Sequence, residues 1–265
     1  MNRETIPDIA LSGVEKRFET RERTVVALER TDLRIRGGEL IALVGPSGCG
    51  KTTMLRMIGG LLTPSSGEIR IGERNLWRGA ERDSSALREL GVVFQDANLF
   101  PWFSIEDNVA LPLRLRGMPK AERRAKAREL CELVGIGGFE KAWPRHLSGG
   151  MRQRAAIARA LSYEPHILLM DEPFGALDAI TRDQMNLELQ RIWLAQRCTI
   201  VFVTHSIAEA VFLGDRVILL SPRPGRIDME LEVPFERPRR TALQAVPEFQ
   251  GLVQRLRDRL EAIIT

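Results

Sequence analysis

The run Gly45-Pro46-Ser47-Gly48-Cys49-Gly50-Lys51-Thr52 has the residue types and spacing to cradle a polyphosphate. Glycines let successive backbone N–H groups turn inward and approach an anion closely, and a helix start behind them adds its positive end. Lys51 is spaced to reach β- and γ-phosphates, and the Thr52 hydroxyl to ligate Mg²⁺. Both flanks suit such a loop. Leu40-Ile41-Ala42-Leu43-Val44 is apolar enough for a buried strand, and Thr53-Met54-Leu55-Arg56-Met57-Ile58 reads as a helix. A nucleoside triphosphate site is the expectation.

A second stretch supplies the acids. His166-Ile167-Leu168-Leu169-Met170 is an apolar run that ends in Asp171-Glu172-Pro173. Phosphoryl transfer to water needs a cradle, a metal, a group to orient the water and charge stabilisation. At the end of a buried strand Asp171 is placed to hold Mg²⁺ through its water shell, and Glu172 to act as general base. Two merely solvated acids would not follow so apolar a strand.

Elements that would position these groups can be read from the pattern. Residues 9–14, 25–28 and 31–35 read as three short strands before any helix, which predicts an antiparallel sheet beside the nucleotide core. Residues 19–23 are charged and turn-like. Strands at 68–71 and 91–94 flank a short helix at 84–89. From 104 to 160 the chain reads as helical: Ser104 caps 105–111, Pro119 opens 120–134, and Leu147-Ser148-Gly149-Gly150 feeds 151–163. That block, about 96–160, reads as an inserted helical subdomain. Strands at 166–170, 199–203 and 216–220 then alternate with helices at 183–196 and 207–213, the pattern of a parallel doubly wound sheet. A last strand covers 227–233, residues 234–240 are linker-like, and 247–264 forms an amphipathic helix. The expected division is a nucleotide-binding domain over 1–233 and a linker with its helix over 234–265. The arginines of Arg237-Pro238-Arg239-Arg240 are expected to be solvated. The aromatic run Leu99-Phe100-Pro101-Trp102-Phe103-Ser104 suits either packing between subdomains or a partner surface.

Composition narrows the class. The 265 residues are 44% hydrophobic and 28% charged, and 39 Lys/Arg are interleaved with 35 Asp/Glu for a net charge of +4. A nucleic-acid binder concentrates its basic residues, so nucleic acid is not an expected partner. The three cysteines, Cys49, Cys131 and Cys198, lie far apart in no metal-binding spacing. Cys49, in a phosphate nest at a helix start, is expected to have a lowered pKa and to react with thiol reagents. Residues 1–10 have no apolar core and are not expected to be a signal peptide. No apolar run approaches a membrane span, so any membrane role is expected to come through a partner.

The glycine-rich loop, Gln95, Leu147-Ser148-Gly149-Gly150, Asp171-Glu172 and His205, in this order and spacing, resemble the ATP-binding cassette family of transporter ATPases. The resemblance runs from about residue 9 to 226. It implies an α/β fold: a P-loop NTPase (RecA-like) core with a mostly parallel sheet, an N-terminal antiparallel β subdomain and an inserted α-helical subdomain. It further implies the ligands ATP and Mg²⁺, held by the loop from Gly45 to Thr52 with Thr53 beside it. Phe18 stands where the family stacks an aromatic on adenine. Gln95 would ligate Mg²⁺ and sense the transport partner. His205 would hydrogen-bond the γ-phosphate. Ser148, Gly149 and Gly150 would contact ATP held by a second copy of the chain, with Asp178 across that interface. Met151 replaces the Gln usual after the signature glycines, and Thr52-Thr53 replaces the commoner Ser-Thr; both leave the anion-binding backbone and the hydroxyl in place.

Three functions fit that resemblance: an importer ATPase beneath a separate permease, the ATPase of an exporter or lipid- or lipoprotein-extracting complex, and a soluble cassette acting on DNA or ribosomes. The segments around Gln95 to Trp102 and Leu219 to Ile227 resemble bacterial importers of nitrate, sulfonates and taurine. No extra β-rich regulatory domain is expected at the end. The implied assembly is a homodimer on permease subunits, peripheral at the cytoplasmic face of the inner membrane, served indirectly by a periplasmic or lipid-anchored solute-binding protein.

Overall fold

The structure is a computed structural model that describes residues 6–19, 23–79, 81–175 and 177–264. Residues 1–5 of the leader reading, 20–22 of the expected turn, and Ala176 therefore lie outside the described residues.

β1 (Ile9–Glu19) and β2 (Thr24–Ile35) form a long antiparallel pair, with Ile9 opposite Ile35 and Phe18 opposite Val25. The two short strands expected at 25–28 and 31–35 are thus one strand. Irregular pairing between Val14 and Lys16 accommodates Glu29 and Arg30 as a bulge, so Leu28 and Leu33 both stay buried. All five residues of β3 (Leu40–Val44) are buried, and α1 (Lys51–Ile58) follows the glycine-rich loop. β4 (Ser66–Ile71) and β5 (Arg74–Asn75) extend the first sheet in the order β2-β1-β4-β5, antiparallel throughout. A hairpin of β6 (Trp77–Arg78) and β7 (Glu81–Arg82) and the short helix α2 (Ser84–Leu87) lead to β8 (Leu90–Val93).

Three helices come next. α3 (Ile105–Leu115) starts where expected, because the Ser104 hydroxyl accepts the Asp107 N–H at 3.1 Å. It runs past the expected end at 111 and through Pro112, whose carbonyl accepts the Arg116 N–H at 3.2 Å. α4 (Lys120–Leu133) buries Ala127, Leu130 and Cys131, and α5 (Gly149–Leu161) packs against both helices.

β9 (Ile167–Asp171), α6 (Ala179–Gln196), β10 (Thr199–Val203), α7 (Ile207–Leu213), β11 (Arg216–Leu220) and β12 (Ile227–Glu232) complete a six-stranded sheet. Its order is β12-β11-β3-β10-β9-β8, parallel except for the β11–β12 pair. Every residue of β9 and β10 is buried, as a strand covered on both faces requires. Alternate side chains feed two cores. Ala42, Met170 and Phe202 face the helices that include α3 to α7, while Leu43, Leu169 and Val203 face α1 and the antiparallel sheet.

α8 (Pro247–Ile264) adds Phe249, Val253 and Leu256 to the first of these cores. The segment before it corrects the expectation of solvated arginines for Arg237 and Arg239, while Arg240 is exposed. Arg239 is 3% exposed, and its guanidinium donates to the carbonyls of Gly214 at 2.7 Å, Phe212 at 3.0 Å and Phe235 at 3.0 Å. A planar five-donor fork suits the unpaired carbonyls that end a helix, here α7. Burial lowers its pKa to about 10, still charged at neutral pH. Arg237 pairs with Asp215 at 2.8 Å over the Trp193 ring.

Candidate active site

β8, β9, β10, β3 and β11 lie side by side and parallel, so the loops leaving their C-terminal ends share one edge of the sheet. In order across that edge they carry Gln95, then Asp171 and Glu172, then His205, then the glycine-rich loop, then residues 221–226. Backbone bonds stitch neighbours together. The Glu172 N–H donates to Val203 at 3.0 Å and the Thr204 N–H to Leu43 at 3.1 Å.

Within the glycine-rich loop Gly50 has φ 103°, a left-handed turn that favours glycine, and no side chain caps α1. The first N–H groups of that helix are left for a ligand. Lys51 is buried, and its ammonium donates to the carbonyls of Gly45 and Pro46 at 2.9 Å each. Thr52 Oγ1 donates to Asp171 Oδ1 at 2.8 Å. Burial pushes the Asp171 carboxyl above the ordinary range, against the pull of that hydrogen bond. A cavity of about 250 Å³ over the loop is lined by residues from Ser47 to Thr53 and by Glu172, His205 and Arg223.

Glu172 has φ 47°, a left-handed conformation that costs a non-glycine residue about 1 kcal/mol or more. Strain of this kind persists where the surroundings over-determine it. His205 Nε2 lies 2.6 Å from Glu172 Oε1. Gln95 joins Glu172, Arg182, Thr204, His205 and Glu209 around an adjoining cavity of about 260 Å³. Lys51, Thr52, Asp171, Glu172, His205 and Gln95 are therefore gathered at one place.

Other residues singled out in the sequence sit elsewhere. Ser148 caps α5, its hydroxyl accepting the Met151 N–H at 3.3 Å, and Asp178 caps α6 through the Thr181 N–H at 3.0 Å. A Cβ built on Gly150 would lie 3.2 Å from Thr181 Cγ2, so Ser148, Gly149, Gly150 and Asp178 form a second cluster. None of the four lines the cavity over Lys51. Phe18 lies near the end of β1, 40% exposed, with the Lys16 ammonium 5.2 Å from its ring centre.

Cys49 requires a correction. Its side chain is fully buried, and burial raises the thiol pKa more than nearby Lys51 lowers it. The helix start it stands beside does not make it a reactive thiolate.

Several positioning residues were not singled out in the sequence. Asn108 is fully buried and pins the aromatic loop, accepting the Phe100 N–H at 2.7 Å and donating to the Phe100 and Ser104 carbonyls at 3.1 and 3.0 Å. Gln153 donates to the Phe94 carbonyl at 3.0 Å, and Arg159 to Ala97 and Asn98 at 2.9 and 2.7 Å. Helix α5 thereby holds both sides of Gln95. Nothing in the local sequence signals these partners, because each depends on contacts made across the fold.

A glycine-rich loop, a buried lysine and a strand-end acid pair on a mostly parallel sheet define a P-loop ATPase. Residues 28–175 match a family model described as ABC transporter, and the chain belongs to that family. It is 46% identical over 241 residues to the taurine import ATP-binding protein TauB of Rhizobium johnstonii, covering 89% of each. It is 44% identical over 226 residues to the nitrate import ATP-binding protein NrtD of Synechocystis sp., covering 85% of this chain and 82% of the relative. A solved ATP-binding cassette, described as a dimer in a post-hydrolysis state bound to ADP and Pi, matches with a TM-score of 0.76 at 35% identity. That match covers 86% of this chain and 100% of the other.

Proposed function

We propose that the chain is the energy-coupling ATPase of an importer, acting as a homodimer beneath separate permease subunits at the cytoplasmic face of a cell membrane. One observation carries the reading: a cradle with lysine and acids on one sheet edge, and a second, exposed helix start, capped by Ser148, outside its cavity. Head-to-tail pairing of two copies would bring each such helix start to the other's nucleotide. Among the described residues no helix is long and apolar enough to cross a membrane, so attachment falls to a partner.

In this reading Lys51 exchanges its two loop carbonyls for phosphate oxygens, and the N–H groups at the start of α1 hold the same anion. Glu172 takes the proton of the attacking water, and His205, 2.6 Å away, fixes the carboxylate and reaches the γ-phosphate. Phe18 offers an exposed face for adenine. Thr52, Asp171 and Gln95 fit Mg²⁺: they offer oxygen donors only, and among the described residues no cluster of three or more His, Cys, Asp or Glu suits a softer, fully protein-bound metal. When bound, Mg²⁺ would neutralise charge on the phosphates.

Two ATPs close the dimer and hydrolysis reopens it. Closure reaches the permease through α5, which starts at Ser148 and holds the segment around Gln95 by Gln153 and Arg159. The grip on the permease is the loop from Gln95 to Ser104, where Trp102 is 63% exposed. In this reading 1–233 is the nucleotide-binding domain, with 96–160 as its helical part, and 234–265 is a C-terminal extension. The names of the taurine and nitrate relatives support a small anion as solute, delivered by a separate solute-binding protein.

The test is hydrolysis per molecule as the protein is diluted. Self-association is expected to make specific activity fall with dilution; a rate independent of concentration, with no dimer detectable, would overturn the divided site.

A further inference from the structure

We propose that Arg223 is a further phosphate-contacting residue, acting on the nucleotide held by its own chain. The inference rests on the reading of the glycine-rich loop as the nucleotide site and adds to it the fifth loop of the sheet edge, the one between β11 and β12. That loop is built against the cradle. The Gly225 N–H donates to the Ala27 carbonyl at 3.1 Å, and the Glu29 N–H donates to the Gly225 carbonyl at 2.8 Å. A Cβ on Gly225 would stand 1.9 Å from the Cys49 carbonyl, so only glycine lets the two loops approach this closely. A Cβ on Gly45 would likewise stand 2.7 Å from the Leu220 carbonyl. Ser221 closes the turn, its hydroxyl donating to Pro224 at 3.3 Å and accepting the Arg226 N–H at 3.2 Å.

This frame delivers one cation to the cavity. Arg223 lines the 250 Å³ space together with Lys51, Thr52 and Glu172, and its Nη2 lies 3.9 Å from where a Gly48 Cβ would be. Among the described residues it is exposed, and no hydrogen bond or ion pair engages it. The other arginines of the 216–239 stretch, apart from Arg226, do have carboxylate or carbonyl partners. An unpartnered guanidinium held beside an anion cradle has the fork geometry to bind a phosphate through two N–H groups.

A charge series tests this by direct nucleotide binding, with the melting temperature in the absence of nucleotide as the folding control. Arg223→Ala is expected to weaken ATP binding about tenfold, the worth of one charge-assisted hydrogen bond. Arg223→Lys should recover most of the loss, and Arg223→Glu should exceed it. The same order is expected in a Ser148→Arg background, in which the proposed dimer cannot form. ATP affinity within twofold for Arg223→Ala, or equal losses for all three substitutions, would overturn the proposal. So would a loss that disappears in the Ser148→Arg background, since the contact would then lie across the dimer. Lys51→Ala, measured alongside, separates the two readings. If it loses affinity while the Arg223 series does not, only the Arg223 inference fails; if it too binds ATP normally, the nucleotide-site reading fails.

Discussion

Two loops in this chain end in glycine and open a helix, and they are built in opposite ways. The loop from Gly45 to Thr52 lies between buried strands and the antiparallel sheet, with its lysine buried and no side chain capping α1. Ser148, Gly149 and Gly150 open α5 with a hydroxyl that already satisfies one N–H, and Ser148 is exposed to solvent. The first helix start has no side-chain cap and stands beside a buried lysine and the acid pair. The second is partly capped by its own serine and, among the described residues, has no lysine or acid pair beside it. A helix N-terminus alone is a weak anion site, and its surroundings decide what it does. The difference fits the proposal that one is a binding site and the other is completed by a second copy of the chain.

Glu172→Gln gives the largest expected effect. Removing the base while keeping shape and hydrogen bonding should cut hydrolysis by about 10² to 10⁴. ATP binding should survive, and the nucleotide-bound chain should accumulate as a dimer in sedimentation or size-exclusion measurements. Normal turnover would strip the strained carboxylate of its assigned role and leave its φ of 47° unexplained.

Ser148→Arg attacks the other loop. It should leave ATP binding by the separate chain unchanged, abolish dimerisation, and lower hydrolysis about a hundredfold, the scale of losing a preorganised donor at a developing charge. Dimerisation equal to the unaltered chain would mean that the exposed helix start is no interface, and the contrast between the loops would then reflect packing alone.

Much of this was legible because the active edge is local in sequence. A P-loop, a strand ending in Asp171-Glu172 and a strand ending before His205 each carry their own periodicity, and parallel strands place such ends together. Less legible was anything decided by a distant partner. Glu29 and Arg30 read as a break between strands because a bulge against β1 leaves no local mark. Arg239 reads as solvated because charge and neighbouring proline suggest it, yet the carbonyls that hold it belong to α7 and Phe235, reached only after folding. Arg223 falls in the same class: its turn is plain, but that β11 lies beside β3 is not.

Glu209 sharpens the comparison from within the catalytic edge. It is buried beside the loop that carries His205, accepts a hydrogen bond from the Thr204 hydroxyl, and leaves its other oxygen unpaired. Burial pushes its pKa up to about 7 from an ordinary 4.5, with Arg182 and Asn186 opposing and Asp183 adding to the rise. The folded chain therefore holds this proton to higher pH than the unfolded chain does. Stability should fall as pH rises between about 4.5 and 7 and level off above, with about 3 kcal/mol at stake. Glu209→Gln, neutral at every pH, should flatten that decline in denaturant titrations; an unchanged slope would show that Glu209 is ionised in the folded chain throughout.

The smallest effect concerns Cys49, and it tests whether the cradle is open to solvent or only to an anion. A thiol beside a helix start and a lysine should be reactive if solvent reaches it, but this one is buried, as are Cys131 and Cys198, whose pKa values burial pushes up to about 12. Thiol titration of the native chain at neutral pH should therefore find almost no fast-reacting group, and all 3 cysteines should react after denaturation. ATP should change the native rate little, because Gly225 and the Cys49 carbonyl already pack together over the thiol's own turn. Rapid native labelling that ATP suppresses would mean the loop opens far enough to expose its interior before nucleotide arrives. The cradle would then be formed by its ligand and not by the sheet edge that carries it.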